Sequence, residues 1–340
     1  MMKELMVRKS ELPAVKLETI YFGGGTPSLL NDHDLKKICS VIRNNFEVDP
    51  NAEITLEANP DDLTPQNVSA LAANGINRLS IGIQSFRDEH LRTMNRAHNA
   101  HEAIACVKNA QDKGIHNISV DLIYGIPGLS NGQWMEDLGK VVELNVQHLS
   151  SYCLTVEPRT ALADMVKKGK AKAVNEEESA QHFELLMKFA AENNFDHYEI
   201  SNFAKENFIS RHNSSYWFYE PYLGIGPSAH SYDGTTRRWN IANNAEYIRL
   251  INSEQPAYGS ELLTDKEMFN EMIMVGLRTK WGISMDGIRQ KFGEKMLTDL
   301  EIHSEKWLKQ GLLAKKDDRL ITSQRGKLLA DRIASDLFLV

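Results

Sequence analysis

Residues 17–46, LETIYFGGGTPSLLNDHDLKKICSVIRNNF, contain a whole structural unit in miniature. A short apolar run, LETIYF (17–22), has the composition of a strand. Three glycines and a Thr-Pro follow, and residues 32–46 then carry helical periodicity. The same order recurs downstream. Strand-like runs at AEITLEANP (52–60), RLSIGIQSF (78–86), NISVDLIYGIPG (117–128) and HLSSYCLTVEP (148–158) are each followed by a helical pattern, at 64–75, 100–114, 130–145 and 175–194. Thr64 with Pro65 opens the first of these helices, and Gly114 closes the second. HYEISNFA (197–204) reads as the last strand of the series. Six strands, each but the last followed by a helix, predict a mostly parallel sheet. Polar and glycine-rich positions gather at the carboxyl ends of the strands. Ligands sit at that edge in a (β/α) barrel and in an open doubly wound sheet alike, so the pattern leaves both architectures open.

A chain of 340 residues accommodates one large α/β domain with an appendage, or two or three small domains. Its 42% hydrophobic and 25% charged residues are ordinary for a globular protein, and a net charge of −7 argues against a generally basic nucleic-acid binder. No run of 18 apolar residues is present, so no membrane span is expected. The opening MMKELMVRKSELPAVK lacks a signal-peptide core and reads as the middle of an amphipathic helix. Cys39, Cys106 and Cys153 are odd in number, widely separated and without metal-ligand spacing, which points to a reducing cytoplasm and to buried, structural thiols.

Beyond about residue 260 the pattern changes. Helical segments at 265–279, 284–292 and 295–311 precede a hairpin centred on Asp317-Asp318 and a final helix over about 324–338. This order is winged-helix-like, but its charges are mixed and form no basic stripe, so a packing or lid module is expected and not a DNA reader. The expected division is a domain over 1–260 and a mostly helical domain over 261–340.

The glycine loop has no Gly-Lys-Ser/Thr after it and lacks the Gly-x-Gly-x-x-Gly spacing of a dinucleotide fold. Bare backbone at a strand end still lets N–H and C=O groups approach a ligand closely. Glu57 and Gln84 close later strands, Arg96 follows the third, and Asp121 sits in VDLIYGIPG. Two carboxylates, an amide and a guanidinium on one rim suit a small zwitterion carrying a ribose: carboxylates accept from hydroxyls or an ammonium, and Arg96 can grip a carboxylate.

YFGGGTPSLL, EITLEANP, NRLSIGIQSF, VDLIYGIPG and YLGIGPSAHS, in that order, resemble the radical S-adenosylmethionine family of oxygen-independent coproporphyrinogen III oxidases, and more closely its heme chaperones. The resemblance covers nearly the whole chain. It implies a partial (β/α) barrel in which Gly24, Gly25 and Thr26 meet the methionine part of S-adenosylmethionine, and Glu57, Gln84, Arg96 and Asp121 complete the pocket. It also implies a Cys-x-x-x-Cys-x-x-Cys loop whose thiolates hold a [4Fe–4S] cluster. These 340 residues contain no such motif, so the expectation is an N-terminally truncated barrel without radical chemistry and with one unpaired, aggregation-prone sheet edge.

SRHNSSYWF (210–218) is similar to the His-Asn-x-x-Tyr motif of the chaperones, which places His212, Asn213 and Tyr216 at a heme site. An imidazole or a phenolate can ligate heme iron. His230 in GPSAHSYDG is read as loop geometry. The resemblance thus implies a heme chaperone with heme and heme-accepting proteins, some of them membrane-associated, as partners, and it leaves room for a homodimer. The rival it implies is a coproporphyrinogen III oxidase acting by radical decarboxylation. Nucleic acid is not among the expected partners.

Overall fold

The computed structural model describes residues 1–12, 16–169 and 172–339. They group into two compact units, one of Thr19–Leu35 and Glu53–Ile209, the other of Met1–Glu18, Lys36–Ala52 and Ser210–Val340.

The principal sheet has seven strands: β1 (Leu17–Phe22), β2 (Val48–Ala58), β3 (Arg78–Gln84), β4 (Asn117–Tyr124), β5 (His148–Cys153), β6 (Asp196–Glu199) and β7 (Asn202–Ala204). Their order is β1-β2-β3-β4-β5-β7-β6. Pairing is parallel from β2 through β5, then antiparallel at β5–β7 and β6–β7. The one strand expected over 197–204 is therefore a tight hairpin. Its reversal is held by Glu199, whose carboxylate accepts from Ser201 N (2.9 Å) and Asn202 Nδ2 (2.7 Å). An alternating pattern running through both arms conceals such a reversal.

Period-two alternation divides the sheet faces. Leu56, Leu79 and Ile118 stand in register across β2–β4, with Ala58, Ile81, Val120 and Leu149 in the next row, all buried. The other face carries Glu57, Ser80, Ser119 and His148 in one row, and Asp121 beside Ser150. One face is thus an apolar seat for helices and the other a polar interior. The helices Pro65–Ala73, Ala100–Asp112, Asn131–Glu143 and Glu176–Glu192 are capped by Thr64, Asn99, Ser130 and Asn175, the second and third through capping boxes. Two short helices, Asp88–Thr93 and Ala161–Lys167, were not expected from periodicity.

In the second unit, helix Met2–Arg8 buries Glu4 and Arg8. Their partners include Ser231 and Asn240 of a three-stranded antiparallel sheet, β8 (His230–Tyr232), β9 (Thr236–Asn240) and β10 (Tyr258–Leu262). The C-terminal segment builds a core of its own from Phe269, Ile273, Leu277, Ile288, Leu300 and Leu320, among others. Helices Asp265–Arg278, Met285–Phe292 and Glu294–Lys309 lead into a hairpin of β12 (Leu313–Lys316) and β13 (Arg319–Thr322), with β11 (Ile283–Ser284) on the free side of β13. Asp317 and Asp318 form its two-residue turn, and Asp317 takes φ 51°, the left-handed conformation such turns require.

Candidate functional site

At the carboxyl end of β1 the chain passes through Gly23, Gly24 and Gly25. Gly24 and Gly25 adopt φ of 76° and 64°, and no atom lies within 4 Å of where a Cβ would stand on either. Their backbone therefore faces open space. Gly24 N donates to Glu57 Oε2 (3.1 Å), and the Tyr21 hydroxyl donates to Glu57 Oε1 (2.7 Å). The carboxylate at the end of β2 is thus aimed from two sides at the glycine loop. Thr26 heads the turn Pro27–Leu29, where its carbonyl accepts from Leu29 N (3.1 Å).

The parallel pairing of β3 with β4 breaks between Ile81 and Gln84, and Gln84 takes φ 69°. Bulges of this kind re-aim side chains beside functional sites. Gly82 lies inside the irregularity, and a Cβ there would stand 3.0 Å from Gln84 Nε2 and 3.4 Å from Arg96 Nη2. Arg96 Nη2 donates to Asn59 Oδ1 (2.8 Å) and Gly82 O (3.0 Å). Its Nε is buried without a hydrogen-bond partner among the described residues. Gln84 and Arg96 thus meet over Gly82, as Glu57 meets the glycine loop.

Asp121, opposite Ser150 on β5, acts through its field on the Glu57 and Tyr21 group. Burial and the nearby Glu57 carboxylate push it up to about 7, against hydrogen bonds from Ser150 and Ser80 and the charge of Arg78. The Tyr21 phenol is raised by burial, Glu57 and Asp121. Tyr152 is pushed up to about 12 by burial and by Asp121, Glu199 and Glu57. Sequence reasoning missed Tyr21, Tyr152, Gly82 and His148. The available signal was parity: His148, Ser150 and Tyr152 alternate on β5 as Glu57, Ser80 and Asp121 do on their strands.

A carboxyl with a raised folded-state pKa weakens the fold as it ionises. Its penalty is absent below the unfolded value near 3.8 and complete above the folded value of about 7. Asp121→Asn should therefore exceed the wild type by on the order of 2 kcal/mol at pH 8, water at the rim screening part of the shift, and by nothing below pH 4. Urea unfolding at the two pH values checks this. A gain at pH 4 as large as that at pH 8 refutes it.

In the other unit, His212, Asn213 and Tyr216 lie on helix Arg211–Trp217, where Ser210 Oγ accepts from Asn213 N (3.3 Å). His212 Nε2 lies 2.9 Å from the Tyr216 hydroxyl, with the rings edge-to-face at 5.1 Å. Tyr216 is exposed and meets Tyr222 edge-to-face at 4.6 Å. His230 is exposed at the start of β8.

Among the described residues no group of three or more His, Cys, Asp or Glu could hold a metal ion. Cys39 and Cys106 are buried and Cys153 is exposed. Burial pushes the Cys106 thiol up to about 12, far from a thiolate ligand. These three cysteines do not fit an iron–sulfur cluster.

The mixed sheet thus carries an open glycine loop at its carboxyl edge, with the Glu57 carboxylate held against it and Asp121 close enough to feel its charge. The model of the Radical SAM superfamily matches residues 4–141, and that of the HemN C-terminal domain matches residues 263–329. The fold is shared with coproporphyrinogen III oxidase (HemN) from Escherichia coli, at a TM-score of 0.83 and 22% identity over 99% of this chain and 81% of that one. The heme chaperone HemW of Bacillus subtilis (strain 168) is 33% identical over 319 residues, 93% of this chain and 84% of the relative. That of Mycobacterium tuberculosis (strain ATCC 25618 / H37Rv) is 33% identical over 335 residues, 98% and 84% of the two. The chain belongs to the HemW family of radical SAM proteins. Among the described residues no helix is long and apolar enough to cross a membrane.

Proposed function

We propose that this chain is a cytoplasmic heme chaperone that takes up heme and passes it to heme-accepting proteins, some at membranes, either alone or as a homodimer. The observation that carries the reading is the His212–Tyr216 pair, with Tyr216 exposed on a short helix and an imidazole within hydrogen-bond reach of its phenol. Imidazole and phenol are both groups that heme proteins use toward iron. Asn213 belongs to the same helix, and its backbone fixes the turn that presents them. Heme titration followed by Soret absorbance should show affinity falling about tenfold, near 1.4 kcal/mol, in His212→Ala. Unchanged affinity would remove the main support for the chaperone reading.

The same proposal assigns the carboxyl edge to S-adenosylmethionine. The open Gly24–Gly25 backbone and the orphaned Arg96 Nε support the fit. Gly24, Gly25 and Thr26 would flank the methionine part. Glu57 and Asp121 would accept hydrogen bonds from the ammonium or ribose hydroxyls, with Gln84 beside them, and Arg96 would face the carboxylate. The ligand brings a sulfonium-activated adenosyl group; the chain's own residues bind and orient it. The division at about residue 260 belongs to the proposal too, with 261–340 as a packing or lid module.

A second reading, radical decarboxylation of coproporphyrinogen III, is favoured by the match to the HemN C-terminal domain over 263–329. Titration with coproporphyrinogen III against heme separates the two without calling on a cluster that these cysteines do not fit. Tighter binding of coproporphyrinogen III would favour the oxidase, and tighter binding of heme the chaperone.

A further inference from the structure

The Arg96 guanidinium is held in place by the chain alone. A guanidinium carries five N–H donors. Nη2 gives to Asn59 Oδ1 (2.8 Å) and to Gly82 O (3.0 Å). The donors on Nε and Nη1 remain, and Nε is buried with no partner among the described residues. One nitrogen is thus anchored by neutral oxygens, and the rest of the group keeps its donors and its whole charge.

Asn59 is fitted to this by its place in the chain. It precedes Pro60, which disfavours helical backbone, and it takes φ −89° and ψ 149°. Its N–H donates to Ser28 Oγ (3.4 Å), and Ser28 Oγ donates to Asp62 Oδ2 (2.6 Å). Ser28 belongs to the turn Pro27–Leu29, just past the glycine loop. One residue therefore reaches the glycine-loop turn through its backbone and Arg96 through its side chain. Gly82 bounds the same seat elsewhere, since a Cβ there would stand 3.4 Å from Arg96 Nη2. An amide also differs in kind from a carboxylate at this point. Aspartate would accept from Nη2 equally well, but its charge would cancel the one an anionic ligand group needs.

We propose that Asn59 is a positioning residue: it anchors Arg96 by Nη2 so that the remaining donors meet the carboxylate of an amino-acid ligand, and it thereby sets the preference for ligands that carry one. This rests on reading the carboxyl edge as an S-adenosylmethionine site, and it names the part of that ligand which Asn59 governs.

The test compares S-adenosylmethionine with decarboxylated S-adenosylmethionine, which lacks the carboxylate, by calorimetric titration of the full chain. The wild type should prefer the first about 30-fold, as for one charge-assisted pair. Asn59→Ala should reduce that preference to about threefold and leave affinity for the decarboxylated compound where it was. Gly82→Ala crowds Arg96 Nη2 from another direction and should narrow the preference too. Narrowing in both variants supports the assignment. A preference kept in Asn59→Ala, whether the two affinities stay or fall together, overturns it, because a merely structural role moves both ligands alike. A wild type that binds the two ligands equally well also overturns it and leaves the edge as the binding site. A wild type that binds neither removes the edge reading itself, and this inference with it.

Discussion

Glu4→Ala should destabilise the folded chain by about 3–5 kcal/mol, the cost of taking the more deeply buried of two counter-charges from Arg8 and stranding the other donors that Glu4 accepts from. Glu4 is 1% exposed, and both its oxygens are engaged. Oε1 accepts from Arg8 Nη1 (2.8 Å) and Asn240 Nδ2 (2.6 Å), and Oε2 accepts from Gly226 N (2.9 Å) and the Tyr247 hydroxyl. Arg8, also buried, donates further to Glu11 (3.0 Å), Ser231 Oγ (3.0 Å), Asn240 Oδ1 (3.2 Å) and Gly224 O (3.1 Å). The desolvated charges are tolerable because Glu4 and Arg8 compensate each other, Glu11 adds a second carboxylate to Arg8, and the remaining donors and acceptors find partners. Removing the carboxylate leaves Arg8 in the interior with one partner fewer, and strands an amide, a hydroxyl and a backbone N–H. Urea unfolding should show the midpoint collapse. Glu305→Ala, which breaks an exposed ion pair with Lys309, should leave the midpoint in place. Similar midpoints for the two variants would mean that the buried network contributes nothing.

Glu57→Ala should lower S-adenosylmethionine affinity about 30-fold, near 2 kcal/mol, as expected for a charge-assisted hydrogen bond lost from a prepared position. The preparation is visible before any ligand arrives, since Tyr21 and Gly24 N already hold the carboxylate at the rim. Less ordering is then left for the binding step. Tyr21→Phe keeps the carboxylate but frees it to rotate, and should cost less, about threefold. Calorimetric titration checks both. Wild-type affinity in Glu57→Ala would move the ligand away from this edge altogether, whatever the fate of the heme titration.

Much of the sheet was legible because its signals are local. Alternation at 78–84 and 117–124, the Thr64-Pro65 start and the Asp317-Asp318 turn each act within a few residues. Glu57 and Gln84 could be chosen as strand-end residues for the same reason, and Asp121 as the lone carboxylate of an apolar strand. Tyr21 and Tyr152 could not, since their importance arises from closeness to Glu57 and Asp121 on other strands. The hairpin at 196–204 was missed because its reversal depends on one glutamate capping Ser201 and Asn202. Glu4 and Arg8 looked like the polar face of an amphipathic helix. Their i,i+4 spacing was readable, but nothing near them announces that both charges are interior.

That last feature also bears on the order in which the molecule can assemble. Strands β2 to β4 each meet the next strand in the chain, so those pairings become available as the sequence emerges. Apart from their own pairing and the local Arg8–Glu11 pair, the buried charges of the first helix bond to groups far along the chain. Its glutamate waits for Gly226, Asn240 and Tyr247, between 222 and 243 residues later. Until then two charges destined for the interior stay in water, and the beginning of the chain is among the last parts that can be set in place.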